Sequence, residues 1–202
     1  MSSVKTRKLD ISTILAVDKA QTGSGATGPP VVGSAIIREI QPAGVGSSVS
    51  FSSNVRTLRQ MNDIQFNSLN ITLSGTPNWT ITIPTEGTYS FYARSMFLIY
   101  RPSSNYLIGA NSKLFIRNET LGLDNWIVGD SIINQYRLVD DSGPNNICVE
   151  LNGIQTITTP TTISLRQVCN ANAGIPVLTG GGAVNILSSP EVYATLQITR
   201  IA

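Results

Sequence analysis

The chain has no histidine. That removes Ser-His-Asp and Cys-His nucleophile pairs and every metal site that needs an imidazole. Its two cysteines, Cys148 and Cys169, are too few for a disulfide scaffold. Both lie in strand-like stretches, ICVEL and LRQVC, and fit either two buried small hydrophobes or a single disulfide. Charge is scarce as well, at 13% of residues, roughly half the usual share of a soluble domain. A sparsely charged surface is safer packed against a partner than left in water. The formal net charge of +2 points neither to nucleic acid nor to a membrane. No run is long and apolar enough to span a bilayer. Basic residues precede an apolar stretch at the N-terminus, but Asp10 and Asp18 bracket only seven residues, so no signal peptide is expected.

What is present divides into two parts. Residues 1–35 carry a small basic cluster, Lys5, Arg7 and Lys8, and an apolar patch containing Ile11, Ile14 and Leu15. The Gly/Pro-rich stretch QTGSGATGPPVVGS follows. Such a segment cannot bury a core alone and is expected to be an extended arm that orders against something else. Its basic cluster suits acidic groups on a protein partner, or solvent, better than nucleic acid.

Residues 36–202 form the second part. Thr, Ile, Val, Ser and Asn dominate, helical periodicity is absent, and turn residues punctuate the chain. Candidate strands fall at 35–40, 48–58, 69–74, 79–84, 88–100, 112–117, 126–128, 131–139, 146–151, 154–158, 162–169 and 191–201. Asn152-Gly153 is the strongest hairpin signal among them. Many short strands at this spacing predict an antiparallel sandwich or jelly roll. The most informative stretch is GTYSFYARSMFLIY, residues 87–100. Tyr89, Phe91, Ala93, Ser95, Phe97 and Ile99 share one face, while Tyr92, Met96, Leu98 and Tyr100 share the other. A strand facing water on one side is polar at alternate positions. This one is largely apolar on both, so one face fills a core and the other needs a cover. A neighbouring subunit or another part of the same chain could supply it.

Four segments occur in order: IIREIQPAGVGSSVSFSSNVRTLRQMND (36–63), WTITIPTEGTYSFYARS (79–95), ISLRQVCNANAG (163–174) and EVYATLQITRI (191–201). The series resembles the tumour-necrosis-factor-like family, which includes the globular head of the first complement component. It is most similar to versions in bacteriophage and cyanobacterial proteins. The resemblance rests on Ile37-Arg38-Glu39, Arg56-Thr57-Leu58, the run Pro84 to Tyr89, Cys169, and Glu191-Val192-Tyr193. It covers about residues 36–202. Residues 101–112 depart from the family pattern, so no ligand of that region is carried over. The resemblance implies a ten-stranded jelly-roll sandwich that assembles as a compact homotrimer around aromatics. Either Tyr89 and Phe91 or their opposite-face neighbours Tyr92 and Met96 would approach the axis, joined by Tyr193.

Motifs that suggest chemistry lack its context. Gly23 to Gly28 spells G-x-G-x-x-G, but Pro29-Pro30 follow where a helix must open. The same glycines make two collagen-like triplets, and Val31 stands where the next glycine is required. Asp140-Asp141 begin an oxygen-rich loop that fits a turn or, less well, a cation site. Asn70, Asn78 and Asn118 head glycosylation-type triplets that an Asn- and Thr-rich chain produces by chance. No enzyme and no cofactor are expected. With the arm and the low charge, the resemblance implies a virion structural protein on the outer capsid surface. It would be a trimer that decorates or cements the shell, its arms lying across the major capsid protein. The alternative is a receptor-binding knob of a head or tail fibre, contacting the host surface through exposed aromatics such as Tyr106 or Trp126.

Overall fold

The computed structural model describes residues 32–52, 54–99, 107–137, 145–171, 178–179 and 190–202. The arm residues Lys5, Arg7, Lys8, Ile11, Ile14 and Leu15 lie outside the described residues, as do Tyr106 and the Asp140-Asp141 loop. Described residues contain strands and no helix. The strands are β1 (Ser34–Gln41), β2 (Ser50–Phe51), β3 (Arg56–Leu58), β4 (Asp63–Asn67), β5 (Thr72–Ser74), β6 (Thr80–Ile83) and β7 (Gly87–Ile99). They continue with β8 (Leu107–Asn118), β9 (Leu123–Val128), β10 (Ile132–Arg137), β11 (Asn145–Ile157), β12 (Thr161–Ala171), β13 (Leu178–Thr179) and β14 (Glu191–Arg200).

They form two antiparallel sheets. One runs β11-β7-β14-β1-β4, with β13 also pairing the end of β7 and carrying β2. The other runs β5-β6-β12-β8, with β9 and β10 both on the far side of β8 and β3 alongside β12. The pairings nest: β1 with β14, β6 with β12, β7 with β11, and β8 with β9 and β10. First with last, working inward, is the winding of a jelly roll. The first strand begins at Ser34, two residues before the expected boundary.

Alternation builds the core. In β1, Ala35, Ile37 and Glu39 point inward; in β7, Tyr89, Phe91, Ala93, Ser95 and Phe97 do so, all fully buried. Ile81, Ile83, Leu114, Ile116, Ile163 and Leu165 meet them from the other sheet. Phe91 packs edge-on against Trp126 with ring centroids 5.5 Å apart, an arrangement that suits the aromatic quadrupoles. The Tyr89 hydroxyl donates to the Thr85 carbonyl at 2.9 Å, so a buried phenol keeps its hydrogen bond.

Part of the interior is polar. Arg59 and Glu39, neither with any exposed surface, approach to 2.8 Å. Glu39 also accepts from Ser47 at 2.6 Å and from the Gln60 backbone N–H. Burial pulls the Arg59 guanidinium below its ordinary value, and the Glu39 charge works against that shift. The Gln167 carboxamide accepts from Ser95 at 2.7 Å and donates to Ser112 at 2.8 Å. This seam fastens the 42–62 connection to both sheets.

Three expectations change here. Asn152-Gly153 makes no hairpin: both residues lie inside β11, opposite Tyr92 and Phe91 of β7. A Cβ at Gly153 would come within 2.4 Å of Ile127 Cγ2. The glycine is there for close approach rather than for a turn. Among the described residues fourteen strand segments stand where ten strands were expected, partly because β9 and β10 share the flank of β8. Finally, β4 was not expected at all. As an edge strand with Gln65 and Phe66 exposed, it lacks the alternation that marks a half-buried strand.

Candidate assembly face

Register decides what β7 shows outside. Tyr92 stands between Asn152 of β11 and Gln197 of β14, and Gln197 is followed by Ile36 of β1 and Phe66 of β4. In the next row Arg94 stands between Glu150 and Thr195, followed by Arg38 and Asp63. Met96 then faces Cys148. Tyr92 and Met96 are half-buried, while Ile154 and Phe66 toward the two edges are 62% and 49% exposed.

At one end of this face lies a depression of about 240 Å³, lined by Arg94, Met96, Cys148, Val192 and Tyr193 among others. Tyr193 sits at an irregularity where β1 pairs Ala194 with Glu39 and Val192 with Ile40. Its hydroxyl donates to the Val45 carbonyl at 3.0 Å and also meets the Glu191 carboxylate. Glu191 accepts in turn from the Gly44 N–H at 3.1 Å. Burial, with Glu191 adding to it, pushes the Tyr193 phenol above its ordinary value. The Glu191-Val192-Tyr193 start of β14 therefore anchors the 42–46 loop at the rim of the face.

The exterior of the other sheet differs in kind. Arg56 lies over the Phe115 ring at 4.6 Å and Lys113 at 6.0 Å. Arg117 reaches Asp124 and Glu119 at 2.7 and 2.9 Å, and Arg166 reaches Glu119 at 2.9 Å. Burial acts to raise the Glu119 carboxyl, but the Ser164 hydrogen bond and both arginines hold it below its usual value. Such a ladder of hydrated pairs suits water.

The expected interface residues separate accordingly. Tyr89 and Phe91 are core residues with no exposed surface, so they cannot line an axis between subunits, and that expectation is corrected. Tyr92, Met96 and Tyr193 border the outer face, although Tyr193 is only 3% exposed within one chain. The sequence reading missed Arg94, Cys148 and Glu150. Arg94 was legible, since it alternates in phase with Tyr92 and Met96. The two β11 residues were not, because their side depends on the cross-strand register with β7. Both cysteines are free thiols, Cys169 between the sheets and Cys148 half-buried on the outer face. Trp126 packs against Phe91 and is no exposed loop aromatic. Asn118 is buried with its side-chain oxygen accepting from the Leu121 N–H, which closes it as a glycan acceptor. No group of three or more metal-ligating side chains occurs among the described residues.

No family model matches the chain. No curated protein matches it either. Among solved structures, the chain is similar to Eiger, a TNF from S. frugiperda, at 10% identity and a TM-score of 0.49, over 84% of this chain and 92% of that one.

Proposed function

We propose that this chain is a non-enzymatic virion structural protein, a homotrimer that decorates or cements the outer capsid surface. The observation that carries the reading is strand β7. Its inward aromatics complete the core, and its outward face still offers Tyr92 and Met96 in a sheet that also exposes Ile154, Phe66 and Val192. A second copy of the chain laid on this face removes that apolar surface from water, while the ion-pair ladder of the other sheet stays hydrated. Residues 1–35 then lie across neighbouring copies of the major capsid protein, the apolar Ile11, Ile14 and Leu15 making contact and Lys5, Arg7 and Lys8 meeting acidic groups. A receptor-binding knob is less well supported at Trp126, which is partly buried and packs against the core.

The mass of the full chain in solution, measured by light scattering or native mass spectrometry, tests the assembly. Three chains per particle is the expected result, and a monomer at all concentrations would overturn it. Localisation of the chain in a map of a virion tests the placement.

A further inference from the structure

Two cross-strand pairs of opposite charge occupy one row on the outer face of the β7 sheet, and they behave differently. Arg38 of β1 and Asp63 of β4 neutralise each other, Nε and Nη2 both donating to one carboxylate oxygen at 2.8 and 2.6 Å. Arg94 of β7 and Glu150 of β11 are direct partners in register, yet among the described residues no ion pair joins them. Arg94 Nη2 instead donates to the Cys148 sulfur at 3.2 Å. Glu150 accepts from the Tyr92 hydroxyl at 3.0 Å. Both charged side chains are exposed. A thiol is a weak acceptor, and one phenol bond occupies little of a carboxylate's capacity. Most of the bonding power of each charge is therefore directed outward.

We propose that Arg94 of one copy pairs with Glu150 of the next, and that this reciprocal pair sets the specificity of self-association. The inference rests on the self-associating reading above and names the groups that would select the partner. Tyr92, Arg94 and Met96 follow one another along one face of β7, so covering the apolar pair takes Arg94 and its neighbour Glu150 out of water as well. A charge buried at an interface without an opposite charge is strongly destabilising. A cover that offers an acid to Arg94 and a base to Glu150 avoids that cost. A second copy does so without further design, since the face carries one of each sign side by side. In a closed ring every copy gives its Arg94 to one neighbour and its Glu150 to the other, leaving none unpaired. Arg38 and Asp63 make no such demand.

The test is a charge swap, read as the concentration dependence of mass by analytical ultracentrifugation. Arg94→Glu alone and Glu150→Arg alone each place like charges together across the interface. Each is expected to raise the dissociation constant by about a hundredfold or more, while thermal melting at low concentration stays cooperative and shows the exposed sites leave the fold intact. The double variant Arg94→Glu/Glu150→Arg restores opposite charges and should recover most of the association. A wild-type chain that stays monomeric would overturn both the assembly reading and this one. A wild-type oligomer that tolerates each single reversal, or whose loss the double variant fails to repair, would overturn the pairing alone.

Discussion

Cys169 points between the sheets, its sulfur 3.3 Å from the Ser112 hydroxyl, and burial pushes its thiol up to about 12 against the counteracting Ser112 bond and Arg59 charge. A thiol held protonated is no nucleophile. Cys148, half-buried on the outer face beside Arg94, is open to reagents. Native protein kept monomeric by dilution should therefore take up one equivalent of a maleimide, at Cys148, and the second only on unfolding. Peptide mapping of the labelled chain reads this directly, and fast labelling of Cys169 in the folded state would contradict the burial. The pH dependence has a definite sign. The folded thiol titrates above its unfolded value of about 9, so its contribution to stability is complete below that value. It is lost as pH rises between about 9 and 12. Cys169→Ala should flatten that alkaline decline, measured as melting temperature against pH. The sequence could not tell the two thiols apart. Both sit in strand-like stretches, and which side of a strand faces inward is fixed by pairing rather than by the residues on either side.

Strands expose the same distinction at larger scale. The long apolar-rich stretch from 87 was legible because its pattern is local: β7 begins at Gly87 and alternates as read. Asn152-Gly153 was misleading because a turn signal is also local, whereas the demand for a glycine here comes from Ile127 on another strand. Gly153→Ala should therefore destabilise the domain by about 1–3 kcal/mol, the usual range for overpacking. Gly75→Ala should have little effect, since nothing lies within 4 Å of a Cβ there. Denaturant melts of both variants make the comparison, and equal effects would mean that Ile127 simply moves aside. The connection between β1 and β4 depends on a different interaction. Glu39 and Arg59 are both without exposed surface, and loss of one partner leaves the other buried and uncompensated. Glu39→Gln should cost about 3–5 kcal/mol. The same measurement checks it, and a loss below about 1 kcal/mol would place the pair in contact with water. In the sequence Glu39 is legible only as part of a family motif; its inward position and its Arg59 partner depend on β1 lying between β14 and β4.

For the whole molecule, fold class was readable because it rests on period and punctuation, and the outer face was readable only as a question of which side of β7 it was. What would join the domain to a particle in the proposed function is a separate matter. Residues 32–202 form one compact unit, and β1 begins at Ser34 with its pairs already made to β14 and β4. Deleting residues 1–30 should therefore leave folding and the number of chains per assembly unchanged, because the pairings of the described strands all lie within residues 34–200. Shell binding should be lost, because in the proposed function those residues make the contacts. The dependence on number is informative. A trimer with three arms engages three places at once, and tethering makes the second and third contacts effectively intramolecular. Trimers reconstituted with one intact arm and two truncated chains should bind particles more weakly than the full trimer by a factor on the order of 10²–10⁴, with armless trimers weaker still. Sedimentation of labelled trimers with stripped particles measures the series. Full occupancy by armless trimers would move the anchoring contacts onto the jelly roll itself, where the exterior of the β8 and β12 sheet, with its ladder of ion pairs, would be the remaining large face to examine by charge reversal at Arg56 and Arg166.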